Sequence, residues 1–251
     1  MKILGSDYDG TLTAGGIGEE KLQLIRAWRE AGHKFGIVSG RGIGFLTELK
    51  QKHPTLELDF LAACNGGYIT DGEGALWYRA ECRDVSPREL CTDLLAFGCP
   101  YAHVMGDRYA CAVADVGNLP KGAPEGTSVL PSELPTFDYI TQVSVRLPTL
   151  EEAATVAERV RDSYGAYLTP LLNGKSIDIV PRGVNKAEGL LRVAEHLGAS
   201  RADVIAVGDN INDADMIRAF HSYAMEKGVD EIKALADEIV SDVADLIRKE
   251  M

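Results

Sequence analysis

An α/β fold is expected: a doubly wound, mostly parallel sheet, interrupted by an inserted α+β domain. Three observations lead there. Short apolar runs alternate with helix-period segments at both ends of the chain, the rhythm of a parallel sheet with right-handed crossovers. That rhythm breaks in the middle, where strand pairs and Pro/Gly-rich turns replace it. It then resumes. The expected division is 1–81 with 183–251 for the sheet domain, and 82–182 for the insertion.

The elements follow in order. Ile3-Leu4 is a buried strand with Asp7 at its end. Residues 16–31 form a helix, because Leu22, Ile25 and Trp28 recur at helical spacing, and Gly32 stops it. His33 to Val38 is a second strand, leading into Ser39-Gly40-Arg41. A helix over about 42–52 carries Phe45 and Leu49, and Phe60 to Cys64 is a third strand ending in Asn65-Gly66-Gly67. Tyr68 to Tyr78 reads as a hairpin around Asp71-Gly72-Glu73-Gly74.

Within the insertion, Ser86-Pro87-Arg88-Glu89 starts a helix, with Ser at N-cap and Pro at the first position. Tyr101 to Met105 and Tyr109 to Ala114 pair across Gly106-Asp107-Arg108. Residues 118–135 are a loop. A strand over 139–147, a helix over 149–164 and strands over 167–172 and 176–180 complete the domain. The sheet domain then resumes with a helix over 185–197, a buried strand at Val204 to Val207 and the loop Gly208-Asp209-Asn210-Ile211-Asn212-Asp213. A helix, a strand at Ser222 to Met225 and two further helices end the chain.

Composition narrows the function. Of 251 residues 45% are apolar and 25% charged, ordinary for a globular chain. The net charge of -12 argues against a nucleic-acid partner, whose phosphates need clustered Lys and Arg. The five cysteines lack C-x-x-C spacing and read as reduced, mostly buried thiols; the five histidines lack zinc spacing. No run has the length of a membrane span or a signal peptide, so a cytoplasmic protein with no membrane partner is expected.

Chemistry concentrates in four stretches that follow predicted strands or open a helix: Asp7/Asp9, Ser39-Gly40, Lys186 and Asp209/Asn212/Asp213. In an open parallel sheet these gather outside the carboxyl ends of the strands. Asp7 and Asp9, one residue apart on an extended chain, point to the same side. Two like charges in one small volume need a cation or a shared proton between them. Taken singly, Ser39-Gly40 is a turn and Lys186 a solvated helix residue. Together the stretches offer four carboxylates, a hydroxyl, an amide and an ammonium, the inventory for a hard divalent cation plus a phosphoryl group.

The chain resembles the haloacid dehalogenase-like (HAD) hydrolases, and most closely the Cof-type phosphatases with a large α/β cap. The residues that carry the likeness are Asp7-x-Asp9-Gly-Thr-Leu-Thr, Ser39-Gly40-Arg41, Asn65-Gly66-Gly67, Asp178-Ile179 through Gly183-Val184-Asn185-Lys186, and Gly208-Asp209-Asn210-Ile211-Asn212-Asp213. The resemblance implies a Rossmann-like core under a cap that reads the leaving group. It also implies a Mg2+-dependent phosphatase acting on a small phosphorylated metabolite such as a sugar phosphate, as a monomer or small homo-oligomer. Asp7 is then nucleophile and metal ligand, and Asp9 the general acid–base, meeting the metal through its backbone carbonyl. Asp209 binds the metal, and Asp213 either joins it through water or holds Lys186. Lys186, Ser39, Gly40 and Asn212 serve the phosphoryl group, with Arg41 and Asn65 facing the substrate. On the insertion, Arg108, Tyr109, Asn173 and Lys175 are candidates to meet the leaving group.

A phosphomutase or phosphotransferase using the same aspartyl-phosphate is the alternative expectation. A dinucleotide binder is not supported, because Gly40-Arg41-Gly42-Ile43-Gly44 lacks the G-x-G-x-x-G spacing.

Overall fold

The computed structural model describes all 251 residues. The chain forms two compact units, Met1–Arg79 with Asn185–Met251, and Ala80–Val184.

The first unit is built on an eight-stranded sheet. Its strands are β1 (Ile3–Ser6), β2 (Lys34–Val38), β3 (Phe60–Ala63), β4 (Tyr68–Asp71) and β5 (Leu76–Arg79), and after the insertion β12 (Val204–Gly208), β13 (His221–Met225) and β14 (Glu238–Val240). Their order is β14-β13-β12-β1-β2-β3-β4-β5. The run from β14 to β3 is parallel, and β4 and β5 append antiparallel. β1 is central: Ile3–Ser6 pairs with Val204–Val207 on one side and Lys34–Ile37 on the other. Helices cover both faces, so these strands read as apolar throughout. On one face Leu4, Phe35 and Ile37 pack with Ile25 and Trp28 of α1 (Glu19–Glu30), Phe45 of α2 (Phe45–Lys52) and Leu246 of α8 (Val243–Glu250). On the other, Ile3, Val38 and Val204 meet Leu190 and Val193 of α5 (Lys186–His196) and Met216 of α6 (Ala214–Ala219).

The second unit has a six-stranded sheet of β6 (Tyr101–Gly106), β7 (Tyr109–Val113), β8 (Ser128–Val129), β9 (Ile140–Arg146), β10 (Leu168–Asn173) and β11 (Ser176–Pro181), in the order β10-β11-β9-β6-β7-β8. All its pairings are antiparallel except β7 with β8. α3 (Pro87–Ala96) and α4 (Leu150–Tyr164) bury Leu90, Leu94, Val156 and Val160 against Val104, Val143 and Ile177. Both helices start as their sequences dictate. Ser86 accepts the Glu89 N–H, and Thr149 and Glu152 cap one another's backbone N–H groups at 3.1 and 3.0 Å.

Four expectations are corrected. α1 begins at Glu19 rather than residue 16, because Gly15 and Gly16 both take positive φ. α2 begins at Phe45 rather than residue 42. The 118–135 stretch is not all loop, since Ser128–Val129 pairs in parallel with β7. A three-residue strand, β14, closes the sheet where only helices were expected. The remaining helix of the first unit is the single turn α7 (Asp230–Lys233).

Candidate active site

β1, β2 and β12 run parallel, so the segments leaving Ser6, Val38 and Gly208 emerge at one edge of the sheet. Asp7 extends the ladder by one bond, donating its N–H to Val207 O at 2.9 Å. The chain then curls into a helical turn over Tyr8–Leu12, broken at Gly10, which has φ 81°. A Cβ at Gly10 would stand 2.5 Å from Asp209 Oδ2, so only glycine lets this turn approach the β12 loop.

That turn separates the two carboxylates expected side by side. Asp7 is buried, whereas Asp9 is exposed. The alternation rule assumes an extended strand, and the strand has ended at Ser6. The Asp9 carboxylate is instead gripped by Arg41, whose Nε and Nη2 donate to Oδ2 and Oδ1 at 2.8 Å each. This is a bidentate fork. The Arg41 guanidinium lies 5.2 Å from the Tyr8 ring centroid and 4.9 Å from that of Phe45, which fixes its plane.

Buried Asp7 and Asp213 and half-buried Asp209 gather around Lys186. One carboxylate oxygen from each acid lies within 4.8 Å of the others. Lys186 is 1% exposed, and its Nζ donates to Asp7 Oδ1 at 2.6 Å and Asp213 Oδ1 at 2.5 Å. Asp213 uses its other oxygen to accept the N–H groups of Asp209 and Asn210 at 2.9 and 3.0 Å. Of the two roles expected for it, holding Lys186 is the one whose contacts are present. Thr11 Oγ1 donates to Asp209 Oδ1 at 2.7 Å and fixes that carboxylate.

Electrostatics shows what this cluster lacks. Fully ionised, three carboxylates against one ammonium would leave two negative charges in excess. Burial pushes the Asp7 carboxyl up to about 8, Asp213 adds to the rise, and Lys186 opposes it. Burial also raises Asp209. Lys186 is held above its ordinary value, because Asp213 and Asp7 outweigh the desolvation that works against its charge. All the ligand atoms are oxygens. A hard divalent cation therefore suits both the charge and the donor set.

The other expected residues lie around this centre. Ser39 is buried at the end of β2; its Oγ accepts the Arg41 N–H at 3.2 Å and its carbonyl accepts the Asn65 N–H at 2.9 Å. Gly40 and Arg41 are half-buried beside it, and Asn65 is fully buried. Asn212 is half-buried in the turn before α6. In the second unit, Arg108 and Tyr109 sit at the β6–β7 turn and Asn173 and Lys175 at the β10–β11 turn. The strand register puts Met105 level with Gln142, and Ser176 level with Arg146. These two turns are thus at opposite ends of the sheet, and the four candidates do not converge.

A family model described as haloacid dehalogenase-like hydrolase matches residues 4–245. The chain belongs to the haloacid dehalogenase-like hydrolases. This hydrolase is 24% identical to the phosphoglycolate phosphatase of Methanothermobacter thermautotrophicus, over 100% of this chain and 99% of that one. Its fold matches that of a haloacid dehalogenase-like hydrolase from B. subtilis, with a TM-score of 0.82 at 17% identity over 100% of both chains. It also matches a HAD subclass IIB sugar phosphatase, BT4131, with a TM-score of 0.78 at 20% identity over 100% of this chain and 99% of the other.

Proposed function

We propose that this phosphatase hydrolyses a small phosphomonoester with Mg2+, through an aspartyl-phosphate on Asp7. The observation that carries the reading is the Asp7–Asp209–Asp213 cluster, with Lys186 as its one internal cation.

Asp7 and Asp209 would hold the ion, with the Asp9 backbone carbonyl as a further oxygen and Asp213 as support. Mg2+ bound there supplies positive charge that lets an anionic nucleophile meet an anionic phosphate. Asp7 is the nucleophile because it is the carboxylate at the strand end, and Lys186 on Oδ1 fixes its orientation. Attack forms the Asp7 O–P bond and breaks the P–O bond to the leaving group. The exposed Asp9 gives its proton to the departing alkoxide, then takes one from the water that cleaves the acyl phosphate. Lys186, Ser39 and the backbone N–H groups of the β1 and β2 loops offset charge on the transferring phosphoryl group. Asn212 would touch a phosphate oxygen or orient the lysine.

Arg41 enters this reading differently from the sequence expectation. Its fork is occupied by Asp9, so it orients the acid rather than the phosphate. The second unit, 80–184, would serve as the cap that selects the leaving group, and sugar phosphates are the substrate class to try first.

The test is release of inorganic phosphate from a panel of phosphomonoesters, with and without EDTA. Turnover should need the divalent ion and disappear in Asp7→Asn. Full activity in EDTA, or in that variant, would overturn the reading.

A further inference from the structure

A second cation already lies beneath the loop that carries Asp9. Lys21 opens α1 and is 4% exposed, although nothing in the sequence marks it apart from an ordinary helix lysine. Its ammonium donates to the carbonyls of Leu12 and Ala14 at 2.9 Å each, and lies 3.1 Å from Asp242 Oδ2. Two carbonyls and a carboxylate around one ammonium form an oxygen cage of the kind that holds a monovalent cation.

The cage sits where the loop is short of partners. The turn Tyr8–Leu12 closes through Leu12 N–H to Asp7 O and Thr13 N–H to Tyr8 O. Ala14 N–H and Gly16 N–H carry the turns on to Thr11 O and Thr13 O, which leaves the Leu12 and Ala14 carbonyls without a backbone donor, the ordinary deficit at the end of a helical segment. Lys21 supplies those donors. Asp242 in turn is fixed by its other oxygen, which accepts the Ala244 N–H at 2.8 Å as the N-cap of α8.

We propose that Lys21 is a tethered monovalent cation that orders the Asp9 loop, and is therefore a positioning residue for the reaction. It touches neither the acid cluster nor any group that would meet substrate. Its work is to hold Leu12 and Ala14, and through them the turn in which Asp9, Gly10 and Thr11 are placed. Asp242 makes that order depend on the start of the last helix. The effect on turnover rests on the phosphatase reading above; the effect on loop order does not.

Chemical rescue tests this directly. Lys21→Ala leaves the cage open, and Lys21→Met fills it with an apolar stem. Both variants should lose at least about tenfold in kcat with KM changed less than about threefold. This is the split expected when a group is misplaced rather than a binding contact removed. Ammonium and short alkylammonium ions should restore Lys21→Ala severalfold and saturably. They should raise its Tm over that in tetramethylammonium at equal ionic strength, while leaving Lys21→Met and the wild-type protein unmoved. Lys21→Arg should keep most of the activity. The Tm readout needs no turnover, so it stands even if the phosphatase assignment fails.

The idea is overturned if Lys21→Ala keeps kcat within about twofold of wild type, or if ammonium shifts Lys21→Ala and Lys21→Met equally. If Lys21→Ala does not fold, Lys21→Met and Asp242→Asn decide. Wild-type kcat in either one would also overturn the proposal.

Discussion

Gly10 carries more of this site than its lack of a side chain suggests. Its φ of 81° is one that L-residues reach at a cost of about 1–2 kcal/mol. A methyl group there would also collide with Asp209 Oδ2. Gly10→Ala should therefore push the Asp209 carboxylate away from Asp7 and lower Mg2+ affinity at least about tenfold, read by calorimetric titration. Unchanged affinity would mean that Asp209 is not a ligand. Asp7 yields a pH prediction whose sign can be fixed. Its carboxyl is raised from 3.8 to about 8, so the metal-free folded state holds a proton that the unfolded chain has lost. Stability should then fall as pH rises through that window, by up to about 1.4 kcal/mol per unit. Urea midpoints in EDTA should be lower near pH 8 than near pH 6, saturating Mg2+ should close the gap, and Asp7→Asn should flatten the slope. At this level the chain was largely readable. Asp7, Asp209, Asp213 and Lys186 meet because each follows a parallel strand or opens the next helix, and those positions show in the apolar rhythm. Asp9 was misplaced, because alternation holds only while the strand lasts. Lys21 was invisible, because a buried lysine and a solvated one have the same letter.

α5 shows how an element delivers one atom to the site. Asn185 caps it by accepting the Glu188 N–H at 2.9 Å, which puts Lys186 in the first turn, pointing into the cluster. The depth of that insertion is set elsewhere, by glycine packed on glycine. A Cβ on Gly189 would stand 2.6 Å from Gly66 Cα, and one on Gly66 would stand 2.8 Å from Gly189 Cα. The Asn65-Gly66-Gly67 motif is thus a seat for α5, whatever else it does. Gly189→Ala should lift the helix from the 64–66 turn, costing about 1–3 kcal/mol in urea denaturation as overpacking does. It should also lower kcat, because Lys186 Nζ is displaced from Asp7. A stability loss with kcat unchanged would separate the seat from the lysine. Elements of this length are readable from periodicity. β14 was not, because Glu238-Ile239-Val240 is too short to show alternation and becomes a strand only because β13 offers it an edge. β8 is the same case, two residues recruited by β7.

Each unit has a core of its own. The first buries both faces of its sheet; the second buries the face that α3 and α4 cover, and on the other face Tyr101, Cys111 and Val113 pack with Leu119 and Ala123. The second is also continuous in sequence, and its ends are tied internally. Cys82 N–H donates to Ile140 O at 2.7 Å as the chain enters, and Arg182 N–H to Tyr167 O at 2.8 Å as it leaves. A segment of about a hundred residues with such a core is in the size range of an independent domain. Residues 80–184 expressed alone should therefore fold in one cooperative urea transition, with an m-value of about 1–2 kcal/mol/M. Near-UV circular dichroism should show fixed aromatic packing, since Tyr164 is anchored by its hydroxyl on Asp93 and Tyr101 stacks on His103. The fragment should neither bind Mg2+ tightly nor release phosphate, because every acid of the cluster lies in the other unit. A fragment with helical far-UV signal but no near-UV signal and no cooperative transition would be a molten state. It would mean that the insertion takes its order from the rest of the chain, and that the break in sequence rhythm near residue 82 marks a change of architecture without a change of folding unit.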